Sequence, residues 1–68
     1  MLTVSIVIPA WNEEERIADC LTNATRQTVM PHEVIVVDNR STDATVDIVK
    51  QFMEEHPDAP VRLLHQDD

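Results

Sequence analysis

The chain predicts an α/β fold: strands and helices alternating β-α-β-α-β, with three parallel strands in one sheet and the helices packed on it. Two apolar runs carry that reading, residues 6–8 and residues 34–37. Each stops abruptly at a polar cluster, Pro9-Ala10-Trp11-Asn12-Glu13 after the first and Asp38-Asn39-Arg40-Ser41-Thr42-Asp43 after the second. A segment with helical spacing follows each cluster. Both runs are apolar at every position, the pattern of parallel strands covered by helices on both faces.

Residues 3–8 form the first expected strand. Residues 13–27 follow as a helix, because Ile17, Cys20, Leu21 and Ala24 fit the i, i+3, i+4, i+7 template. Asn12 suits the N-cap, Glu15 can return a capping-box hydrogen bond, and Glu13 and Glu14 favour the positive helix end. Cys20 falls on the apolar side of this helix and is expected to pack as a small hydrophobe. Met30-Pro31-His32 breaks the helix, and residues 33–37 form the second strand. Ser41, Thr42 and Asp43 offer caps for a second helix reaching residue 55, whose Ile48, Val49, Phe52 and Met53 make one core-facing stripe. His56-Pro57-Asp58-Ala59-Pro60 ends it, and residues 61–65 complete the order as a third strand.

Composition narrows the function. Sixty-eight residues allow one small domain, and 43% apolar residues suffice for a modest core. The formal charge of -8 opposes nonspecific nucleic-acid binding, which depends on basic side chains neutralising phosphates. An anionic ligand would be held by backbone amides, helix N-termini or a metal. The single cysteine excludes an intrachain disulfide, and His32, His56 and His65 show no metal-ligand spacing. No apolar run is long enough to span a bilayer, and no basic signal-peptide start is present, so a cytoplasmic setting is the expectation. Glycine is absent, which argues against dinucleotide fingerprints and phosphate-cradling loops.

If the first two strands are parallel neighbours, both polar clusters emerge at their C-terminal edge, where open α/β sheets bind ligands. A flat indole such as Trp11 can cover a base face, with stacking contributing on the order of 1–3 kcal/mol. A side-chain oxygen of Asp38 or Asn39 can accept an imide N–H of uracil or thymine. The structural alternatives are a packing role for Trp11 and a turn-capping role for Asp38.

Val4-Ser5-Ile6-Val7-Ile8-Pro9-Ala10-Trp11-Asn12-Glu13 resembles the opening of family 2 glycosyltransferases, and Leu21 through Gln27-Thr28 resembles a segment of that family ending in Gln-Thr. The stretch from Glu33 to Asp43 resembles its nucleotide-binding turn. The resemblance implies a Rossmann-like, partial GT-A domain. It also implies transfer of a sugar from a nucleoside diphosphate of UDP or dTDP type, usually with inversion and a divalent metal, Mn or Mg. Pro9, Ala10 and Trp11 would line the nucleoside pocket, Glu13 would lie near base or ribose, and Asp38 and Asn39 would meet the base edge. Arg40 is a further candidate, toward phosphate. The chain departs from the commonest pattern at Asn39, which replaces a second Asp, and at Arg40 and Ala44, which replace frequent glycines. The second turn must then use ordinary backbone angles or accept left-handed strain.

The family's Asp-x-Asp metal motif and its catalytic base have no counterpart here; Asp67-Asp68 is adjacent and too early. The 68 residues are thus expected to be the N-terminal, nucleotide-sugar-binding part of an incomplete domain, inactive alone, with no bound metal of their own. The alternative is a non-catalytic nucleotide-binding or assembly module. A first strand left without an outer partner would expose Val4, Ile6 and Ile8 on an apolar edge, which predicts self-association.

Overall fold

A computed structural model describes residues 4–26 and 31–66. The elements run β1 (Ser5–Ala10), α1 (Ile17–Thr25), β2 (Glu33–Asp38), α2 (Thr45–Glu55) and β3 (Val61–His65), the alternation the sequence predicts. All pairings are parallel and the sheet order is β1-β2-β3. Ala10 pairs with Asp38, and Asp38 with His65, so the three C-terminal strand ends lie level along one rim.

Ile17, Leu21 and Ala24 of α1 and Val49 and Phe52 of α2 are buried against Val34 and Val36 of β2, Ala10 of β1 and Val61 of β3. Ile6, Ile8, Ile48, Met53 and Leu63 pack around that core. The α2 stripe is therefore core, as its spacing indicates. His56, at the end of α2, packs its ring on Phe52 at a centroid distance of 4.4 Å.

The expectation of helices on both faces is corrected. Only one face of the sheet is covered among the described residues. Val34, Val36 and Asp38 are buried while the alternate residues Ser5, Val7 and Pro9 are exposed, and Ile35 and Val37 are half-buried. The reason is topological. Two crossovers of the same hand, stepping the same way from β1 to β2 to β3, put both helices on the same side. The bare face carries Val7, Pro9, Ile35, Val37 and Leu64 toward the rim. At its other end Glu33 meets Arg62 in an exposed 3.5 Å ion pair of the kind that contributes little.

Cys20 is also corrected, from packed to exposed. The buried stripe of α1 is Ile17, Leu21 and Ala24, and Cys20 flanks it on the β1 side, where no further strand of the described residues covers it. Likewise Ile6 and Ile8 pack on the core, and the large hydrophobics left in solvent here are Val4, just before β1, and Val7 within it. The helices begin later than expected, at Ile17 and Thr45, with Arg16 and Ala44 at their N-caps and no side-chain cap on either. Gln27-Thr28, Met30 and Asp67-Asp68 lie outside the described residues. Among those described, no helix is long and apolar enough to cross a membrane.

Candidate nucleotide-binding rim

The turns after β1 and β2 are stapled to each other. The N–H of Asn12 donates to Ser41 Oγ at 2.9 Å, and Asn12 Oδ1 accepts the Thr42 N–H at 2.8 Å and the Thr42 hydroxyl at 3.4 Å. One step on, the Glu13 N–H donates to Thr45 Oγ1 at 2.8 Å and the Glu14 N–H to Asp43 Oδ2 at 3.2 Å. Glu14 Oε2 in return accepts the Ala44 N–H at 3.3 Å. The Thr45 hydroxyl donates to Asp43 Oδ1, which also accepts the Thr45 N–H at 2.9 Å. Polar residues that local pattern assigns to their own helix thus satisfy the start of the neighbouring one. The N–H groups of Asn12, Glu13 and Glu14 before α1 and of Ala44 at the start of α2 are engaged in this way.

Asp43 is the hinge of the staple. Desolvation pushes its carboxyl up, but the Thr45 hydroxyl, the Thr45 N–H and the Glu14 N–H outweigh it and hold the group below its ordinary 3.8. A carboxyl whose folded value is depressed stabilises the fold above the unfolded value. That contribution should be intact above pH 3.8 and fade as pH falls through the lower folded value. Urea unfolding followed from neutral to acid pH checks this, and a Thr45→Val chain should show a weaker acid dependence.

Both turns pass through left-handed backbone: Asn12 at φ 51° and Arg40 at φ 62°. Ala44 keeps an ordinary φ of -83°. Asparagine tolerates this region, and its side chain here is used by Thr42. Arginine does not, and the left-handed region costs a non-glycine residue about 1–2 kcal/mol. Opposite outcomes are therefore expected for two similar substitutions. Arg40→Gly should raise stability by up to about 1 kcal/mol, after the greater unfolded-state freedom of glycine is set against the relieved strain. Asn12→Gly should lower it by about 1 kcal/mol through the lost Thr42 acceptor. Thermal unfolding of both variants decides the matter.

Asp38 ends β2 between its neighbours. Its carbonyl accepts the Gln66 N–H at 2.9 Å, and the next N–H, of Asn39, donates to the Ala10 carbonyl at 2.8 Å. The side chain is 4% exposed. Oδ2 accepts the Ser41 N–H at 3.2 Å, the turn-capping role, whereas Oδ1 is buried and has no partner. It is the one buried side-chain oxygen or nitrogen so left among the described residues.

The sequence-derived candidates are thus brought to one rim, with differing access. Trp11 is 62% exposed and, with Asn12, residues 13–16 and Asp43, lines a cleft of about 360 Å³. Pro9 and Glu13 border a second groove, beside α1. The Ala10 side chain is buried in the core, so only its backbone faces the turns. Asn39 and Arg40 are exposed beside Asp38. A larger cleft, of about 630 Å³, lies at the opposite end between the last turns of the helices and the loop entering β3. Pattern reasoning did not find the Thr45 and Asp43 staple; the only local sign was a run of hydroxyl and acidic residues that also reads as ordinary capping.

Residues 5–68 match the sequence profile of glycosyl transferase family 2. The chain is 40% identical over 63 residues to a poly(ribitol-phosphate) beta-glucosyltransferase of Bacillus spizizenii, covering 88% of this chain and 10% of that protein. It is 49% identical over 51 residues to the glycosyltransferase AglE of Haloferax volcanii, covering 72% and 17% respectively. With the glycosyltransferase GlyG of Streptococcus pneumoniae the identity is 35% over 65 residues, 96% of this chain and 21% of that protein. The chain therefore spans about a tenth to a fifth of the length of these relatives. With its parallel βαβαβ sheet and two facing polar turns, the chain belongs to glycosyl transferase family 2.

Proposed function

We propose that this chain is the part of a glycosyltransferase domain that holds the donor nucleotide. The whole protein would transfer a glycosyl group from a UDP- or dTDP-type sugar to an acceptor, with inversion. The observation that supports this most is the partnerless Oδ1 of buried Asp38 at the rim, one residue from the turn that carries exposed Trp11 by strand register. A buried acceptor without a donor is costly, and a pyrimidine imide N–H supplies the missing donor. Trp11 covers the base face, Asn39 meets the base edge, Glu13 faces the ribose, and Pro9 and Ala10 back the pocket. Arg40 lies on the phosphate side.

The share of this chain is the nucleoside more than the diphosphate, because the amides of residues 12–14 in the first turn and of Ala44 and Thr45 at the second are already bonded to side chains. The divalent metal the family implies would neutralise the departing diphosphate. Among the described residues no three His, Cys, Asp or Glu side chains come together, and no step is assigned to the metal.

Isothermal titration of the chain with UDP, dTDP and ADP, with and without manganese, tests the proposal. Binding of the two pyrimidine nucleotides and none of ADP is expected; equal affinity for all three would refute the base-reading role. Incubation with nucleotide sugars, metal and acceptors should give no transfer by the 68 residues alone. Turnover would contradict their assignment as the donor-binding part.

A further inference from the structure

β3 ends beside the buried carboxylate of the rim. Asp38 and His65 are register partners in the β2–β3 ladder, so their backbones lie roughly 4.8 Å apart. The Gln66 N–H, donating to the Asp38 carbonyl at 2.9 Å, holds that end of β3 in place. Side chains alternate along a strand, and Val61 and Leu63 turn to the helix side, where they join or flank the core. His65 therefore leaves the sheet on the same face as Val34, Val36 and Asp38. Val61 is buried and Leu63 half-buried on that face, whereas His65, at the rim, is exposed.

Asp38 Oδ1 takes no hydrogen bond from the imidazole, so the two groups stand side by side without satisfying each other. The carboxylate oxygen accepts, and a histidine in either protonation state has at least one N–H to donate. Neighbouring strand ends thus offer an acceptor and a donor to one ligand edge.

The strand order fixes which ligand atoms they meet. On the nucleoside reading, from which this inference starts, the ribose lies toward Glu13, in the turn after β1. The base extends from there along the rim and places its imide N–H on Asp38, at the middle strand. In a pyrimidine the ring carbon opposite the ribose-bearing nitrogen is C4, so its substituent points onward to β3. We infer that His65 reads this substituent, donating to a C4 carbonyl oxygen and so selecting uracil or thymine over cytosine. Both of those bases carry a ring N–H beside the C4 oxygen, which matches Asp38 as acceptor and His65 as donor. Cytosine reverses the pair. Its bare ring nitrogen would face the carboxylate and its amino group the imidazole N–H, leaving the buried oxygen unpaired.

Titration calorimetry with UDP, 4-thio-UDP and CDP, on wild type, His65→Ala and His65→Gln, tests the inference. Sulfur accepts hydrogen bonds weakly, so the thio analogue removes the contact at C4 and leaves the imide N–H. His65 is exposed and its ladder bonds are main-chain, so both variants keep the fold, which circular dichroism verifies. Wild type should bind UDP about tenfold or more tightly than CDP. Exchange of oxygen for sulfur should weaken it about fivefold, the size of one hydrogen bond. His65→Ala should lose about the same factor for UDP and bind UDP and its thio analogue alike. His65→Gln keeps an N–H donor and should recover most of the UDP affinity. Equal UDP affinity in wild type and His65→Ala, or no sulfur effect in wild type, would overturn the role of His65 and leave the nucleoside reading standing. A His65→Ala chain that binds UDP more weakly yet keeps the sulfur effect would make His65 a structural residue, which also overturns the inference. No UDP binding by wild type would defeat the nucleoside reading itself, and this inference with it.

Discussion

Replacing Thr45 by valine is expected to cost about 2 kcal/mol, within the ~1–3 kcal/mol typical of leaving a buried polar group unpaired. Thr45 is fully buried, and valine nearly matches its volume, so no cavity is made and the hydroxyl alone is removed. The Glu13 N–H then loses its acceptor and Asp43 loses a donor. The loss is large for a chain of this size, in which 1 kcal/mol moves the melting temperature by about 4–8 °C. Thr45→Ser keeps the hydroxyl and gives up a methyl group, about 0.8 kcal/mol. Thermal unfolding should rank wild type first, then serine, then valine. A valine chain as stable as wild type would show that the staple between the turns contributes nothing.

The second large effect separates binding from stability. In Asp38→Asn the Ser41 N–H requires an oxygen, so the amide oxygen takes the place of Oδ2 and the amide nitrogen that of the partnerless Oδ1. A pyrimidine imide N–H would then meet a donor. Hydrogen bonds to charged groups contribute about 1.5–3 kcal/mol, and 1.4 kcal/mol is tenfold in affinity, so UDP binding should fall about tenfold or more. Stability should stay level or rise by up to about 1 kcal/mol, because a buried carboxylate with one unpaired oxygen is replaced by a neutral group. Titration calorimetry and urea unfolding on the same preparation give both numbers. Unchanged affinity would remove Asp38 from the site, and a large loss of stability would make it a structural cap.

The architecture was legible because its signals are local. The β3 bounds, the β2 start and the α2 core stripe follow directly from apolar runs and helical spacing. The errors share a cause. Asn12, Glu14, Ser41, Thr42 and Asp43 have the composition of helix caps, and pattern assigns each to its own helix. In the fold the two turns lie side by side, and each supplies the other. Residue type was readable, but the partner was not, because the pairing spans 29 to 32 positions. Cys20 failed for a similar reason. Its helical position is correct, yet burial depends on whether a strand lies beyond β1. The left-handed turn at Arg40 was readable as a choice between strain and an ordinary turn, and the chain adopts strain.

A proton–nitrogen correlation spectrum of the chain titrated with UDP tests the central claim most directly. The account expects shifts at the Trp11 indole and at the amides of Glu13 and residues 39–41, with the cleft between Thr22 and Ala59 undisturbed. Shifts confined to that opposite cleft, or none at millimolar nucleotide, would contradict it.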